Sequence, residues 1–159
     1  MRVAVSTDLD ALVDVHWAVA AEGRWLATEV PFDRAAKRRS MEETLKSSSA
    51  VLFVADAAGA GVVGYLGVHI ASYGVADIGM AILEKWRGRG VGSALLDASI
   101  AWASEAGAHK VALEVWPDNS AAIGLYRKAG FVEEGRKRRH YRRANGDIWD
   151  AVLMGRPLD

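Results

Sequence analysis

Trp86-Arg87-Gly88-Arg89-Gly90-Val91-Gly92-Ser93 joins a run that reads as a buried strand, Ala76 to Leu83, to an amphipathic helix opening near Gly90. Glycines at a strand-to-helix turn let successive backbone N–H groups point into one concave space, and the helix N-terminus adds partial positive charge there. Arg87 and Arg89 bring forked donors that match phosphate oxygens. The stretch therefore predicts a site for a phosphorylated ligand. It is not a Walker loop, because no Gly-Lys-Ser/Thr closes it. It is not a dinucleotide fingerprint either, because Ser93 stands where the third glycine would be. A literal fingerprint does occur at Gly59-Ala60-Gly61-Val62-Val63-Gly64. The strand-like Tyr65 to Ile70 follows it instead of a helix, so it reads as a hairpin turn.

Outward from that turn the chain alternates strands and helices. Towards the N-terminus, Arg2 to Val5 reads as a strand, and Thr7 as the N-cap of a helix that ends at Gly23. Leu9, Leu12, Val13, His16, Val19 and Ala20 form that helix's apolar stripe. Asp33 caps a polar helix to Lys46. Between the two helices lies Arg24 to Phe32, a loop rich in large apolar side chains. Strands Ala50–Ala57 and Val62–Ile70 precede the decisive stretch. Beyond it, the helix carrying Val91, Leu95, Ala98 and Trp102 stops at Gly107, and Lys110–Trp116 is a strand. Pro117-Asp118-Asn119 then starts a helix over Ser120–Ala129, closed by Gly130. Phe131–Arg143 and Asp147–Met154 form a hairpin around Asn145-Gly146. No repeat or linker divides the 159 residues, so residues 1–159 are expected to make a single domain.

Composition excludes more than it selects. Net charge is zero, so no whole-molecule attraction to nucleic acid or anionic membrane is expected. There is no cysteine, which removes disulfides, thiolate catalysis and cysteine-ligated metals. The four histidines, at 16, 69, 109 and 140, lack ligand spacing, so no metal is expected, and His16 reads as a core residue. No apolar run approaches the roughly 18 residues that span a bilayer, and no leader precedes the first element, so a cytoplasmic protein is the expectation. Arg136 to Arg143 holds six Lys/Arg in eight residues. On a strand these alternate faces, and Glu133, Glu134 and Asp147 lie near, so a solvated hairpin with one face towards a substrate mouth is expected rather than a nucleic-acid patch.

A second block, Asn119-Ser120-Ala121-Ala122-Ile123-Gly124-Leu125-Tyr126-Arg127-Lys128-Ala129-Gly130-Phe131, gives the chain its family likeness. Arg87-x-x-Gly90-x-Gly92 together with Asn-x-x-Ala-x-x-Leu-Tyr-x-x-x-Gly-Phe resembles the GNAT superfamily of acyl-CoA-dependent N-acyltransferases, and the order of elements fits over nearly the whole chain. The resemblance implies an α/β (mixed α+β) GNAT fold. Its central mixed sheet has about seven strands, splayed between the fourth and fifth, with about four flanking helices. It also implies acetyl-CoA as co-substrate, a small-molecule primary amine as acceptor, and a homodimer.

Carried onto this sequence, the family places the pyrophosphate on the amides of Gly88, Arg89, Gly90, Val91, Gly92 and Ser93, with the Arg87 side chain nearby. The pantetheine arm would pair with Ile82 and Leu83, with the Leu83 N–H donating to the thioester oxygen. Asn119 would touch the cofactor arm, and Tyr126 would protonate the leaving sulfur. Asp77 stands where relatives carry a strand carboxylate acting as base, with Glu114 and Glu29 as rivals. Trp25, Glu29 and Phe32 are candidates for the acceptor wall, or for a lid or dimer contact. The ending Asn145 to Asp150 with Met154 resembles members that acetylate amino acids or antimetabolites such as phosphinothricin. Two alternatives stay open: an acetyltransferase of protein N-termini or ribosomal proteins, and a non-catalytic acyl-CoA sensor.

Overall fold

A computed structural model describes residues 1–158. In chain order they form β1 (Arg2–Val3), α1 (Leu9–Ala21), α2 (Arg34–Lys46), β2 (Ala50–Ala57), β3 (Gly61–Ile70) and β4 (Val75–Ile82). Then come α3 (Val91–Glu105), β5 (Lys110–Val115), α4 (Ser120–Lys128), β6 (Val132–Arg142) and β7 (Ile148–Pro157). One seven-stranded sheet runs β1-β2-β3-β4-β5-β7-β6. Every neighbouring pair is antiparallel except β4 and β5. This is the mixed, seven-stranded, four-helix arrangement expected from the sequence.

Helices cover both faces of the sheet, which is why β2 and β3 are apolar on both sides. Val51, Phe53 and Ala55 of β2 join Leu95, Leu96 and Ile100 of α3 in one core. Leu52 and Val54 of the same strand join Leu9, Leu12 and Val13 of α1 in the other. Leu95, Leu96 and Leu12 are completely buried. Each such side chain contributes about 1.5–3 kcal/mol of transfer free energy, and cutting one to alanine costs about 2–5 kcal/mol. The polar helix α2 buries only Met41 and is held to α1 by ion pairs, Arg38 to Asp10 at 2.8 Å and Arg34 to Asp14.

Two local expectations are corrected. Thr7 is not an N-cap: Ser6–Asp8 form a 3-10 turn and α1 starts at Leu9. The Asp8 carboxylate, rather than Thr7, serves this turn: it accepts the Val5 N–H three residues back at 2.8 Å and the Arg2 guanidinium six residues back at 2.7 and 2.9 Å. The first strand stops at Val3, although the Ala4 N–H still bonds the Leu52 carbonyl. The Gly59–Gly64 segment is a hairpin turn leading into β3, with φ of +77° at Gly59 and +73° at Gly61.

Candidate active site

β4 and β5 pair over only Val75–Lys110, Ala76–Val111 and Asp77–Ala112. Beyond Asp77 the strands diverge and open a cleft of about 470 Å³. The register with β3 decides which backbone groups face it. Leu83 donates its N–H to the Val63 carbonyl at 3.0 Å. Hydrogen-bonded pairs alternate along an antiparallel ladder, so Ala81 and Gly79 also face β3, while Met80 and Ile82 turn their N–H and C=O groups towards the cleft. Leu83 is therefore corrected as a donor to a thioester oxygen. Its N–H is engaged by the neighbouring strand, and Met80 and Ile82 present the open edge.

The arginine–glycine turn forms the cleft's other rim. Gly88 (φ +69°) and Gly90 (φ +82°) adopt left-handed conformations that a side chain would strain. Arg87, Gly88, Gly90, Gly92 and Ser93 line the cleft; Arg89 and Val91 do not. A Cβ on Gly92 would lie 2.9 Å from Leu125 Cδ2, so this glycine permits α3 to start tight against α4. Arg89 is exposed, with its guanidinium 5.2 Å from the centre of the Trp86 ring. Arg87 engages its donors within the chain. Its Nη1 and Nη2 donate to Glu22 at 2.8 and 2.6 Å, and its Nε donates to the Ile82 carbonyl at 2.9 Å. Glu22 also accepts the Trp25 indole N–H at 2.7 Å. The Arg87 hydrogen bonds, outweighing partial burial, hold the Glu22 carboxyl below its ordinary range. A single carboxylate thus ties the phosphate-type turn to the loop after α1.

Asn119 caps α4, its Oδ1 accepting the Ala122 N–H at 3.2 Å, and lines the cleft. Tyr126, about two turns on, also lines it. Its ring packs on Phe131 at 5.8 Å, and burial pushes the phenol up to about 12. At neutral pH this side chain keeps its proton, as an acid towards a departing anion must.

The cleft is also lined by Trp25, Leu26 and Ala27 of the loop after α1 and by Glu114, Trp116 and Tyr141. Glu114 accepts the Tyr141 hydroxyl at 2.6 Å and is bridged by Lys137. Desolvation pushes its carboxyl up, but the Lys137 and Tyr141 hydrogen bonds win and hold it below the usual range. Asp77 is exposed at the closed end of the splay and outside the cleft lining. Of the acceptor-wall candidates, only Trp25 faces the cleft. Glu29 accepts the Ala144 N–H at 2.9 Å, and Phe32 packs on His16 and Trp17, so both fasten the loop from behind.

Further anchors hold the same loop. His16 bonds Tyr65 at 2.5 Å and Thr28 at 3.0 Å, and desolvation, helped by the Lys37 charge, pulls its imidazole down to about 4. Buried Arg143 donates to the carbonyls of Leu26 and Ala27 at 3.1 and 3.0 Å. Sequence reading missed Glu22, Arg143, Trp116 and Tyr141 as site residues. Their partners lie up to 117 positions away, and only the basic run around Arg143 had drawn notice. That run is offset by ion pairs such as Arg136 to Asp150 at 2.7 Å, with Tyr141 facing the cleft. Among the described residues no cluster of metal-binding side chains occurs, and no helix is long and apolar enough to cross a membrane.

Comparison with known proteins gives the family. A family model described as "Acetyltransferase (GNAT) family" matches residues 17–131. An N-alpha-acetyltransferase of Sulfurisphaera tokodaii is 40% identical over 130 residues, covering 73% of this chain and 74% of that protein. The L-methionine sulfoximine/L-methionine sulfone acetyltransferase of Pseudomonas aeruginosa is 28% identical over 145 residues, covering 85% and 81%. The crystal structure of a phosphinothricin acetyltransferase from Sinorhizobium meliloti in complex with AcCoA superposes with a TM-score of 0.88 at 22% identity. It covers 99% of this chain and 86% of that one, and so shares its fold.

Proposed function

The chain belongs to the GNAT acetyltransferase family and is an acyl-CoA-dependent N-acetyltransferase, and we propose that it transfers the acetyl group of acetyl-CoA directly to the primary amine of a small amino-acid-like molecule. The observation that carries this reading is the meeting, in one cleft, of the Gly88–Ser93 turn, the unpaired β4 edge and the Tyr126 hydroxyl. Acetyl-CoA, when bound, supplies an acetyl thioester. The donor set fits it: glycine amides and a helix N-terminus suit a pyrophosphate, and an open strand edge suits the amides of a pantetheine arm.

Of the two edge N–H groups, on Met80 and Ile82, one would donate to the oxygen that gains charge as the amine attacks and the other to an amide of the pantetheine arm, since they lie about 7 Å apart along the strand. A fixed donor of this kind contributes about 2.7–4 kcal/mol. Tyr126 holds a proton at its hydroxyl for the departing sulfur. Glu114 accepts, through water, the proton that the amine loses as the carbon–nitrogen bond forms and the carbon–sulfur bond breaks. We prefer Glu114 to Asp77 because it lines the cleft and Asp77 does not. Arg87 props the turn rather than binding phosphate, and Asn119 positions the start of α4 beside the cofactor arm.

The pinned loop facing Trp116 and Tyr141 leaves a compact acceptor space, which favours a small amine, as does the Pseudomonas relative's activity on methionine sulfoximine and sulfone. The name of the Sulfurisphaera relative favours a second reading, the α-amine of a peptide. Dependence on acetyl-CoA supports the reading of a cytoplasmic protein. The test is amine-dependent release of coenzyme A thiol, which has no protein background because the chain lacks cysteine. Turnover with amino acids and not peptides supports the first reading, and the reverse supports the second. Tight acetyl-CoA binding with no release for any amine would overturn both and return the chain to a sensor.

A further inference from the structure

Two buried donors beside the cleft have no partner among the described residues: the Trp116 indole Nε1 and the Arg143 Nη2. Orphaned donors at such depth are rare in folded proteins, and two in one corner mark a group that is still to arrive. Trp116 lines the cleft. The Arg143 side chain is 3% exposed and lies directly behind the same wall, since its Nη1 bonds the carbonyls of Leu26 and Ala27, which also line the cleft. Its guanidinium sits 5.9 Å from the centre of the Trp116 ring and 4.3 Å from that of Trp149, so the two orphans share a corner.

The missing partner's charge follows from what surrounds Arg143. The nearest carboxylate, Glu29, stands 3.6 Å from its Nε, beyond hydrogen-bond range, and has another oxygen occupied by the Ala144 N–H. The other contacts are neutral carbonyls and aromatic faces. A buried guanidinium lacking a full counter-charge favours an anion over water, and a forked donor beside an indole N–H matches a carboxylate's two oxygens.

Resting on the amino-acid reading of this cleft, we propose that Arg143 and Trp116 form a subsite for the carboxylate of the acceptor, reached by displacing the Leu26–Ala27 segment from Arg143. Glu114 and Tyr141, on the other side of Trp116 (its ring 5.0 Å from that of Tyr141), then face the acceptor's amine. The acceptor class is an α-amino acid or an analogue bearing an acidic group at that distance from the nitrogen.

The experiment compares an L-amino acid that supports turnover with its carboxamide, in the wild type, in Trp116→Phe and in Arg143→Gln. Trp116→Phe keeps an aromatic ring at this position but removes the five-membered part of the indole with its N–H, and it remains informative if the arginine variant fails to fold. The wild type should prefer the acid by at least about tenfold in kcat/KM, the value of a hydrogen bond to a charged group, and the preference should collapse in the variants. Equal turnover of acid and carboxamide in the wild type, or an undiminished preference in Trp116→Phe, overturns the subsite. Calorimetric binding of the same pair in the presence of coenzyme A separates the two levels. A carboxylate preference in binding without turnover refutes the acetyl-transfer reading alone, whereas no preference in binding refutes the subsite.

Discussion

Replacing Glu22 by glutamine tests whether Arg87 is a strut or a phosphate ligand, because the two roles predict opposite signs. Glu22 accepts three hydrogen bonds, at 2.8 and 2.6 Å from Arg87 and 2.7 Å from Trp25. Hydrogen bonds to charged groups contribute roughly 1.5–3 kcal/mol each when buried. Both side chains are a quarter to a third exposed, 25% for Glu22 and 32% for Arg87, so solvent screening reduces the paired value. A bidentate pair of this exposure is worth about 1–2 kcal/mol. Glutamine keeps one acceptor and loses the charge. If Arg87 supports the turn through Ile82 and Glu22, the variant binds acetyl-CoA about 5–30-fold more weakly by calorimetry, the same free energy expressed as affinity. Trp25 emission should shift as its indole N–H loses its partner. Tighter acetyl-CoA binding would mean that the freed guanidinium reaches the phosphates, and the strut role would be refuted. Unchanged affinity with unchanged emission would sever the link between turn and loop altogether.

Three other perturbations have calculable outcomes. Tyr126→Phe should lower kcat by about 10²–10⁴ with acetyl-CoA affinity intact; turnover at the wild-type rate removes the acid role. Gly90→Ala puts a side chain at φ +82°, so stability should fall by about 1–2 kcal/mol in a denaturant titration and acetyl-CoA binding should weaken; a variant equal to wild type in both contradicts the geometry of the turn. His16 has its folded pKa lowered to about 4 from the ordinary 6.5. Below pH 6.5 the unfolded chain takes up a proton that the folded one refuses, so this contribution is intact above pH 6.5 and is lost as pH falls towards 4. The full loss is about 3 kcal/mol. His16→Gln should flatten that stretch of the stability–pH curve, and an unflattened slope between pH 6.5 and 4 assigns the effect elsewhere.

How far the sequence could be read depended on how local each cause is. The turn at Gly88 and Gly90 was legible because left-handed glycines, arginines and a helix start lie within a few residues. The helix start after Pro117-Asp118-Asn119, with Tyr126 on that helix, was legible for the same reason. The Gly59–Gly64 fingerprint was correctly set aside because β3 announces itself as a strand. Leu83 as donor was carried over from the family resemblance without the register of β4 against β3, and a shift of one residue exchanges every edge-facing group for a ladder-facing one. Asp77 and Glu114 could not be ranked from sequence, since only the point where β4 and β5 part company decides which carboxylate meets the cleft. The loop from Arg24 to Phe32 was marked by its apolar bulk. That Glu29 and Phe32 fasten it, while Trp25 alone faces inward, depends on partners in α1 and the β6–β7 hairpin.

The account centres on the cleft between β4 and β5 as the seat of acetyl-CoA, and amide chemical-shift mapping with coenzyme A tests it residue by residue. The prediction is that amides of Gly88 to Ser93, together with Met80 and Ile82, shift on binding, while Leu83 keeps the slow hydrogen exchange of an amide bonded to Val63. Shifts centred on the Gly59–Gly64 turn, or a silent Gly88–Ser93 segment at saturating coenzyme A, would contradict it.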